Sequence, residues 1–409
     1  MSKTPVRLIA WVCIAHILTM TGFSAFATLL ADFSKIWNLS NAEAGTISSA
    51  LFAGYTAAVP VLVTMTDRAD PRKVYLISAL ISAAGLAGFA LFARDVWSAS
   101  LFHALFGAGL GGTYMPGLKA LGDHLEPRTM SRANGYYTGC FSIGAALSYL
   151  YADWVFHASG WPSVFWIAAV GSVLGGVIVF FAVPAGHHAR TPTPFSSMLQ
   201  VFTNRSTLAW SICYGIHSWE LFAFRAWTVA FLQFVGASAT GSAFYLLMAP
   251  VTVAAIATLT GMPASILGNE LCIRYGRRLT VTSFMIGAAA MALATGGTVY
   301  LAYPLAVLAV LIYSVAIMGD SAALTSAAFA NAARELRGAT MAVHSTIGFA
   351  GAALGPFVFG LALDFGGSQS EFGWLVAYIH LAFLSILAPM ILKMMRPDSV
   401  PGDRDRGIL

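Results

Sequence analysis

The sequence predicts an all-α membrane protein of twelve transmembrane helices in two pseudo-symmetric six-helix bundles. Three observations carry that expectation. Of its 409 residues, 58% are hydrophobic and only 10% charged, too few charges to cover a soluble chain of this size. The apolar residues gather into long runs matching the about 20 residues that a helix needs to cross a bilayer. The lysines and arginines concentrate in alternate connections between those runs. Lipid offers no hydrogen-bond partner, so each run must satisfy its own backbone as a helix.

In chain order the runs cover roughly residues 8–31, 45–66, 74–93, 96–119, 134–156, 162–183, 206–234, 241–267, 279–300, 304–329, 340–364 and 372–395. Of the 22 basic residues, nineteen fall on one side of this scheme; only Lys35 and Arg94 fall on the other, and Arg225 lies inside a span. The positive-inside bias makes both termini cytoplasmic, which an even number of spans requires. The sequence pI near 9.0 follows from these loops and does not point to nucleic acid. Ala25-Phe26-Ala27 has the form of a signal-peptidase site after a basic, apolar start, but the first span has a counterpart later in the chain, so cleavage is not expected. Cys13, Cys140, Cys213 and Cys272 lie far apart with no C-x-x-C pair, so neither a disulfide nor a metal is expected, and no cofactor. Tyr136-Tyr137, Trp154 and Trp161-Pro162, near span ends, read as interface anchors.

The longest polar connection divides the chain into a bundle at 1–183, a cytoplasmic linker at 184–205 and a second bundle with a short tail at 206–409. Pro192 and Pro194 mark the linker, residues 195–202 suit a short amphipathic surface helix, and His187-His188 reads as merely polar. At an offset of 201, His16 matches His217, Phe23 matches Phe224, Phe26 matches Trp227 and Phe33 matches Phe234. Connections two and eight are both basic: Asp67-Arg68-Ala69-Asp70-Pro71-Arg72-Lys73 and Arg274-Tyr275-Gly276-Arg277-Arg278. Such repeats put a binding site near the midplane.

On these residues the chain resembles the major facilitator superfamily across essentially its whole length. Asp67-Arg68 sits in a loop similar to that family's G-x-L-x-D-R-x-G-R-R/K motif, with Val63 at the first Gly and Asp70-Pro71 replacing Gly-Arg. Its second copy keeps Leu271, Gly276, Arg277 and Arg278 but has Ile273 for the acid. Ser40 and Glu43 read as a capping box at the entry to the second span. His103-x3-Gly107-x-Gly109 stands where the family often has an arginine, and the eleventh span carries Gly355-Pro356. The resemblance implies alternating access, and a cytoplasmic gate drawn from Asp67, Arg68, Arg72, Lys73, Arg274, Arg277 and Arg278, with Glu270 as a further acid.

Charged groups within a span are costly against lipid and usually face a partner or a cavity. Only Glu220, Arg225 and Asp320 stand near mid-span. At about 100° per residue, with His217 at zero, Phe224 falls at about −20°, Thr228 at about +20°, Glu220 at about −60° and Arg225 at about +80°. His217, Phe224 and Thr228 thus share a face, with Glu220 and Arg225 flanking it too widely for a direct ion pair. Arg225 suits an anionic substrate, because a guanidinium fork matches a carboxylate; the competing role is a structural pair with an acid on another helix, such as Asp320. Glu220, Asp320 and His103 are candidates for proton coupling, or for interhelical hydrogen bonds. His16, Phe23 and Trp227 complete the candidate substrate contacts.

Neither an ATP-binding G-x-x-x-x-G-K-[ST] run nor a clustered acid, base or metal set is present, so the chain reads as no enzyme. The resemblance implies a secondary transporter, expected to work as a monomer with a proton as the coupling ion; the compact chain and short loops point to a bacterial inner membrane, and Arg225 with the central histidines to a small organic or inorganic anion as substrate. The rivals are an exporter of drugs or lipophilic cations on the same fold, using Glu220 and Asp320, and a membrane receptor without flux.

Overall fold

The structure, a computed structural model, describes residues 5–66, 68–185, 196–368, 370–400 and 402–404. Among them every regular element is helical: α1 (Pro5–Thr19), α2 (Ala25–Thr28), α3 (Leu30–Ile36), α4 (Asn41–Met65), α5 (Pro71–Phe92), α6 (Val96–Gly111), α7 (Tyr114–Gly122), α8 (Pro127–Ser159), α9 (Trp161–Ala182), α10 (Ser196–Val201), α11 (Arg205–Gly236), α12 (Ala243–Leu247), α13 (Pro250–Tyr275), α14 (Arg277–Gly297), α15 (Tyr303–Met318), α16 (Ser321–Ala330), α17 (Arg337–Phe365) and α18 (Glu371–Met395), with three short 3-10 turns.

Among the described residues, nine helical stretches are long and apolar enough to cross a membrane; they coincide with predicted spans two, three and six to twelve. The remaining three are helical but less regular. Span one is broken into α1, α2 and α3, span four into α6 and α7, and span five is α8, whose Gly, Ser, Thr and Tyr dilute its hydropathy. Span eight needs correction: α13 begins at Pro250 rather than near 241, because proline suits the first helical position and the chain before it turns at Gly241, with φ of +92°. Large apolar side chains such as Val170, Phe181, Leu308 and Phe383 point outward, a surface that suits hydrocarbon and would be an aggregation liability in water.

Side chains start the helices where the sequence supplies them. Asp70 accepts from the Arg72 N–H, ahead of Pro71. Asp95 and Ser98 form a reciprocal box at α6, and the Ser98 N–H and hydroxyl hold the Asp95 carboxyl below its ordinary range. Asn204 caps α11 and Ser370 caps α18. The expected Ser40–Glu43 box forms.

The chain divides into two compact units, unit 1 at Met1–Trp37 and Ala50–Pro192, unit 2 at Asn38–Ser49 and Thr193–Leu409. In unit 1, α5 packs along α6 and α9, and α1 along α8 and α9. In unit 2, α14 packs along α15 and α18, and α11 along α17 and α18. The pairing of third with fourth and sixth span, and of first with fifth and sixth, therefore recurs. Within unit 2 the Asp364 carboxylate accepts from the Asn41 N–H (3.2 Å), the Asn41 side-chain amide (2.7 Å) and the Ala42 N–H (2.8 Å), satisfying the start of α4 from the end of α17. The α10 segment matches the surface helix expected at 195–202, yet Val201 packs against Ala339 and Val343 of α17.

Glycine sets the closest helix approach. A Cβ added at Gly107 would overlap the Leu51 carbonyl, and one at Gly54 the Ala104 carbonyl, so α4 and α6 cross backbone to backbone. Gly107→Val should therefore lower stability by roughly 1–3 kcal/mol through overpacking. Gly287→Val, where an added Cβ meets nothing within 4 Å, should be near neutral. Thermal melts of the two variants in detergent check this; equal melting temperatures would remove glycine as the reason for the close crossing.

Candidate functional site

The polar residues of unit 2 collect around α11. Asn204 accepts from the Thr207 N–H and starts a helix of 32 residues, long enough to carry His217, Glu220 and Arg225 past three neighbours. Across from it the tenth span is interrupted between α15 and α16. Gly319 lies there because a Cβ would overlap the Phe284 ring, and its carbonyl crowds Gly268 of α13. The next residue, Asp320, occupies the cap position of α16 without using its side chain as a cap. Its carboxylate instead meets His217 Nδ1 at 2.7 Å. Both residues are almost wholly buried, at 3% and 4% exposure.

A stack of rings extends the pair. Tyr214 lies parallel to His217 at 5.7 Å and to His344 at 4.2 Å. His344 in turn meets Ser211 Oγ at 3.2 Å through Nδ1 and Thr325 Oγ1 at 3.3 Å through Nε2. A second limb starts at Glu220, whose Oε1 accepts from the Tyr313 hydroxyl at 2.7 Å. Phe224 packs edge-on against Tyr313 at 5.0 Å. The two limbs gather carboxyl, imidazole and hydroxyl groups around α11.

Arg225, also buried, lies with its guanidinium 5.8 Å from the Phe222 ring centroid. Asp320, the acid offered to it on sequence grounds, is engaged by His217. Trp227 donates its indole N–H to the Pro356 carbonyl at 3.0 Å and stacks on Phe359, and the Thr228 hydroxyl bonds the Phe224 carbonyl at 2.6 Å; both are packing residues in this arrangement.

Unit 1 holds the other candidates in aromatic surroundings. His16 stacks on Tyr137 at 4.4 Å and lies 5.5 Å from Tyr114; among the described residues neither of its ring nitrogens has a hydrogen-bond partner. Phe23 meets Phe52 and Phe141 edge-on. His103 sits among Phe26, Phe89 and Phe106. Tyr137 corrects one expectation: it is fully buried, whereas its neighbour Tyr136 is 63% exposed as an interface anchor should be. Cys13 and Cys140, distant in sequence, are within hydrogen-bond reach of each other.

Among the basic residues, Asp67 lies outside the described residues, as do the linker's His187 and His188. Arg68 and Lys73 are exposed. Arg72 is bound to Asp70 at 2.7 Å and to the Val183 carbonyl at 3.0 Å. Arg274 lies over the Tyr275 ring, and Arg278 is half-buried. Arg277 is buried and bound to Asp403 at 2.7 Å. Sequence reading passed over three members of these clusters: His344, Tyr214 and Tyr313. A histidine within the apolar eleventh span was the available signal for the first; the two tyrosines look like ordinary span residues.

A family model described as Major Facilitator Superfamily matches residues 12–356. The chain is 28% identical over 219 residues to a gentisate transporter of Corynebacterium glutamicum, covering 47% of this chain and 48% of that protein. It is 24% identical over 307 residues to a niacin transporter of Acinetobacter baylyi, covering 66% and 67%. The match thus spans about half of the gentisate relative's length. In fold it is similar to a bacterial homolog of the human lysosomal transporter Spinster, with a TM-score of 0.79 at 15% identity over 99% of this chain and 100% of that one. The nucleoside transporter NupG gives 0.73 at 16% identity, over 95% and 99%.

Removing one member of a buried polar pair leaves the other unsatisfied, at a cost of roughly 1–3 kcal/mol. Asp320→Asn and His217→Gln should each lower the melting temperature, and the double variant should lose much less than the two losses combined. Additive losses in detergent melts would show that the two residues act separately.

Proposed function

The chain belongs to the Major Facilitator Superfamily, and on that premise we propose that it is a secondary active transporter that moves a small organic anion by alternating access, driven by protons. One observation carries the reading: the buried His217–Asp320 pair at the interruption of the tenth span, in the same unit as the buried guanidinium of Arg225. Ionised groups at membrane depth are expensive, and they commonly mark substrate or proton pathways. In this reading Asp320 and His217 exchange the coupling proton, with Glu220 and Tyr313 as a second acid–hydroxyl pair. Arg225 takes the anion, offering a planar fork of donors that a carboxylate can accept in two places.

The relatives support the substrate class. Gentisate and niacin are both aromatic carboxylic acids, and proteins named for their transport match this chain. An aromatic carboxylate would use the fork of Arg225 for its charge and ring contacts for its body. The reading also has the chain working as a monomer with both termini cytoplasmic in a bacterial inner membrane; the orientation is supported by nineteen basic residues on one side against two on the other.

Purified protein in liposomes, given labelled gentisate or niacin with and without an imposed pH gradient, tests the proposal. Uptake should accelerate when the gradient drives protons inward. Arg225→Gln, which gives up a charge-assisted bond of about 1.5–3 kcal/mol, should weaken binding about 10- to 100-fold. Asp320→Asn should keep exchange of internal for external substrate while losing the response to the gradient. Movement of lipophilic cations alone, or an Arg225→Gln protein that binds the acids as well as wild type, would overturn the anion reading.

A further inference from the structure

The C-terminal tail is bound to unit 2 at three successive points. After α18 ends, the Asp398 N–H donates to Ser206 Oγ at 2.9 Å, and the Ser206 hydroxyl donates to Asp398 Oδ2 at 2.7 Å. Val400 is buried in a core that includes Trp210, Cys272 and Leu392. Asp403 then forms a fork with Arg277, from Nε to Oδ2 at 2.7 Å and from Nη2 to Oδ1 at 3.0 Å, and the Arg404 N–H reaches the Ile273 carbonyl at 3.1 Å. Both side chains of the fork are only 6% exposed. A segment that reads in sequence as a short polar end thus buries an apolar side chain and an ion pair.

Arg277 is a junction. Its Nη1 also donates to Asn269 Oδ1 of α13 at 3.0 Å and, on α16, to the Ala323 carbonyl at 2.9 Å and Ser326 Oγ at 2.7 Å. One guanidinium at the first residue of α14 therefore ties together α13, α14, α16 and the tail. Unit 1 solves the same junction locally. There the cap position before α5 is Asp70, which binds Arg72 two residues on. The cap position before α14 is Gly276, with φ of +95°, a conformation that a carboxylate-bearing residue adopts only with strain. Without an acid at that position, the junction of unit 2 takes its carboxylate from the tail.

We propose that the tail is a working strap of the transporter, and that Asp403 is a positioning residue acting through Arg277 on α16. The first residues of α16 follow directly on Asp320, and the Arg277 contacts at Ala323 and Ser326 fall within the next two turns. Holding α16 holds the Asp320 carboxylate against His217. The proposal rests on the reading of that pair as the coupling site for its effect on transport; the strap itself does not.

The test uses the full-length protein in lipid nanodiscs. Hydrogen exchange is followed on peptides covering residues 321–330, and gentisate uptake is measured in liposomes. Asp403→Asn should speed exchange of 321–330 about threefold or more, with unit 1 unchanged, and lower the melting temperature because the buried Arg277 loses its carboxylate. It should also lower the maximal uptake rate about fivefold at unchanged KM, because positioning rather than binding is lost. Asp403→Glu should restore most of both. If Asp403→Asn does not fold, Ser326→Ala cuts the same link from the α16 side and should speed the same local exchange. Unchanged exchange at 321–330 in both variants overturns the strap. A uniform rise over the whole chain that Glu does not repair also overturns it, since that is a folding defect. Faster local exchange with the maximal rate unaltered overturns the positioning role, and absence of gentisate uptake by wild type counts against the substrate reading while leaving the exchange result to decide the strap.

Discussion

Inside a bilayer a helix may be interrupted only where the chain itself replaces the lost hydrogen bonds, since hydrocarbon supplies none. This constraint shapes all three interrupted spans. Between α1 and α2, Ser148 of α8 donates to the Thr21 carbonyl at 2.6 Å and accepts from the Ser24 N–H at 2.9 Å. Between α6 and α7, the Tyr137 hydroxyl donates to the Thr113 carbonyl at 3.1 Å. Between α15 and α16, Ser265 of α13 accepts from the Ala322 N–H at 3.1 Å. Each interruption is met by one hydroxyl from a neighbouring helix, so the broken helices and the helices beside them have to be placed together. Close approach is the precondition: Gly144 lets α8 reach the chain at Met20, and Gly268 lets α13 reach Gly319.

The same constraint sorts the charges. Asp320 is tolerable at an interruption because His217 stands opposite, and Glu220 because the Tyr313 hydroxyl donates to it. Such networks are costly when half satisfied and rigid when complete. That makes them suitable as switches: adding or removing one proton changes which groups are satisfied, and the helices that carry them must adjust. Unit 1 has chosen another composition. There His16 lies against Tyr137 and Tyr114, and His103 against Phe89 and Phe106. Two units built on the same helix pairing thus carry different chemistry.

What the sequence made legible follows from periodicities and counts. Composition and the spacing of apolar runs gave the helices, and Ser40 with Glu43 gave a cap that forms as expected. The interruptions were not legible, because Met20 and Phe23 are apolar and Thr21, Gly22, Ser24, Gly112 and Thr113 are small or weakly polar, so both stretches read as continuing helix. Tyr137 was misread as an interface residue because span five was started at about 134; α8 begins at Pro127, which carries Tyr137 deeper into its bundle. At the candidate site, the three mid-span charges stood out by scarcity. Their partners did not, since His217 with Asp320, and Glu220 with Tyr313, join residues about a hundred positions apart, and no local pattern encodes that distance.

The two basic junctions show how repeated halves can diverge in behaviour while keeping one geometry. Asp70 and Arg72 are two residues apart, so their pairing closes no long loop and orders little additional chain. Asp403 reaches Arg277 from the end of a tail that leaves α18 at Met395. Closing that connection orders several residues, and the cost is met by the buried fork, the Ser206–Asp398 bonds and the burial of Val400. A pairing of this kind can be released without unfolding any helix. The first junction is thus closed within one loop, and the second depends on the tail. It stands at α16, the helix that follows Asp320, so the tail and the buried His217–Asp320 pair share one element.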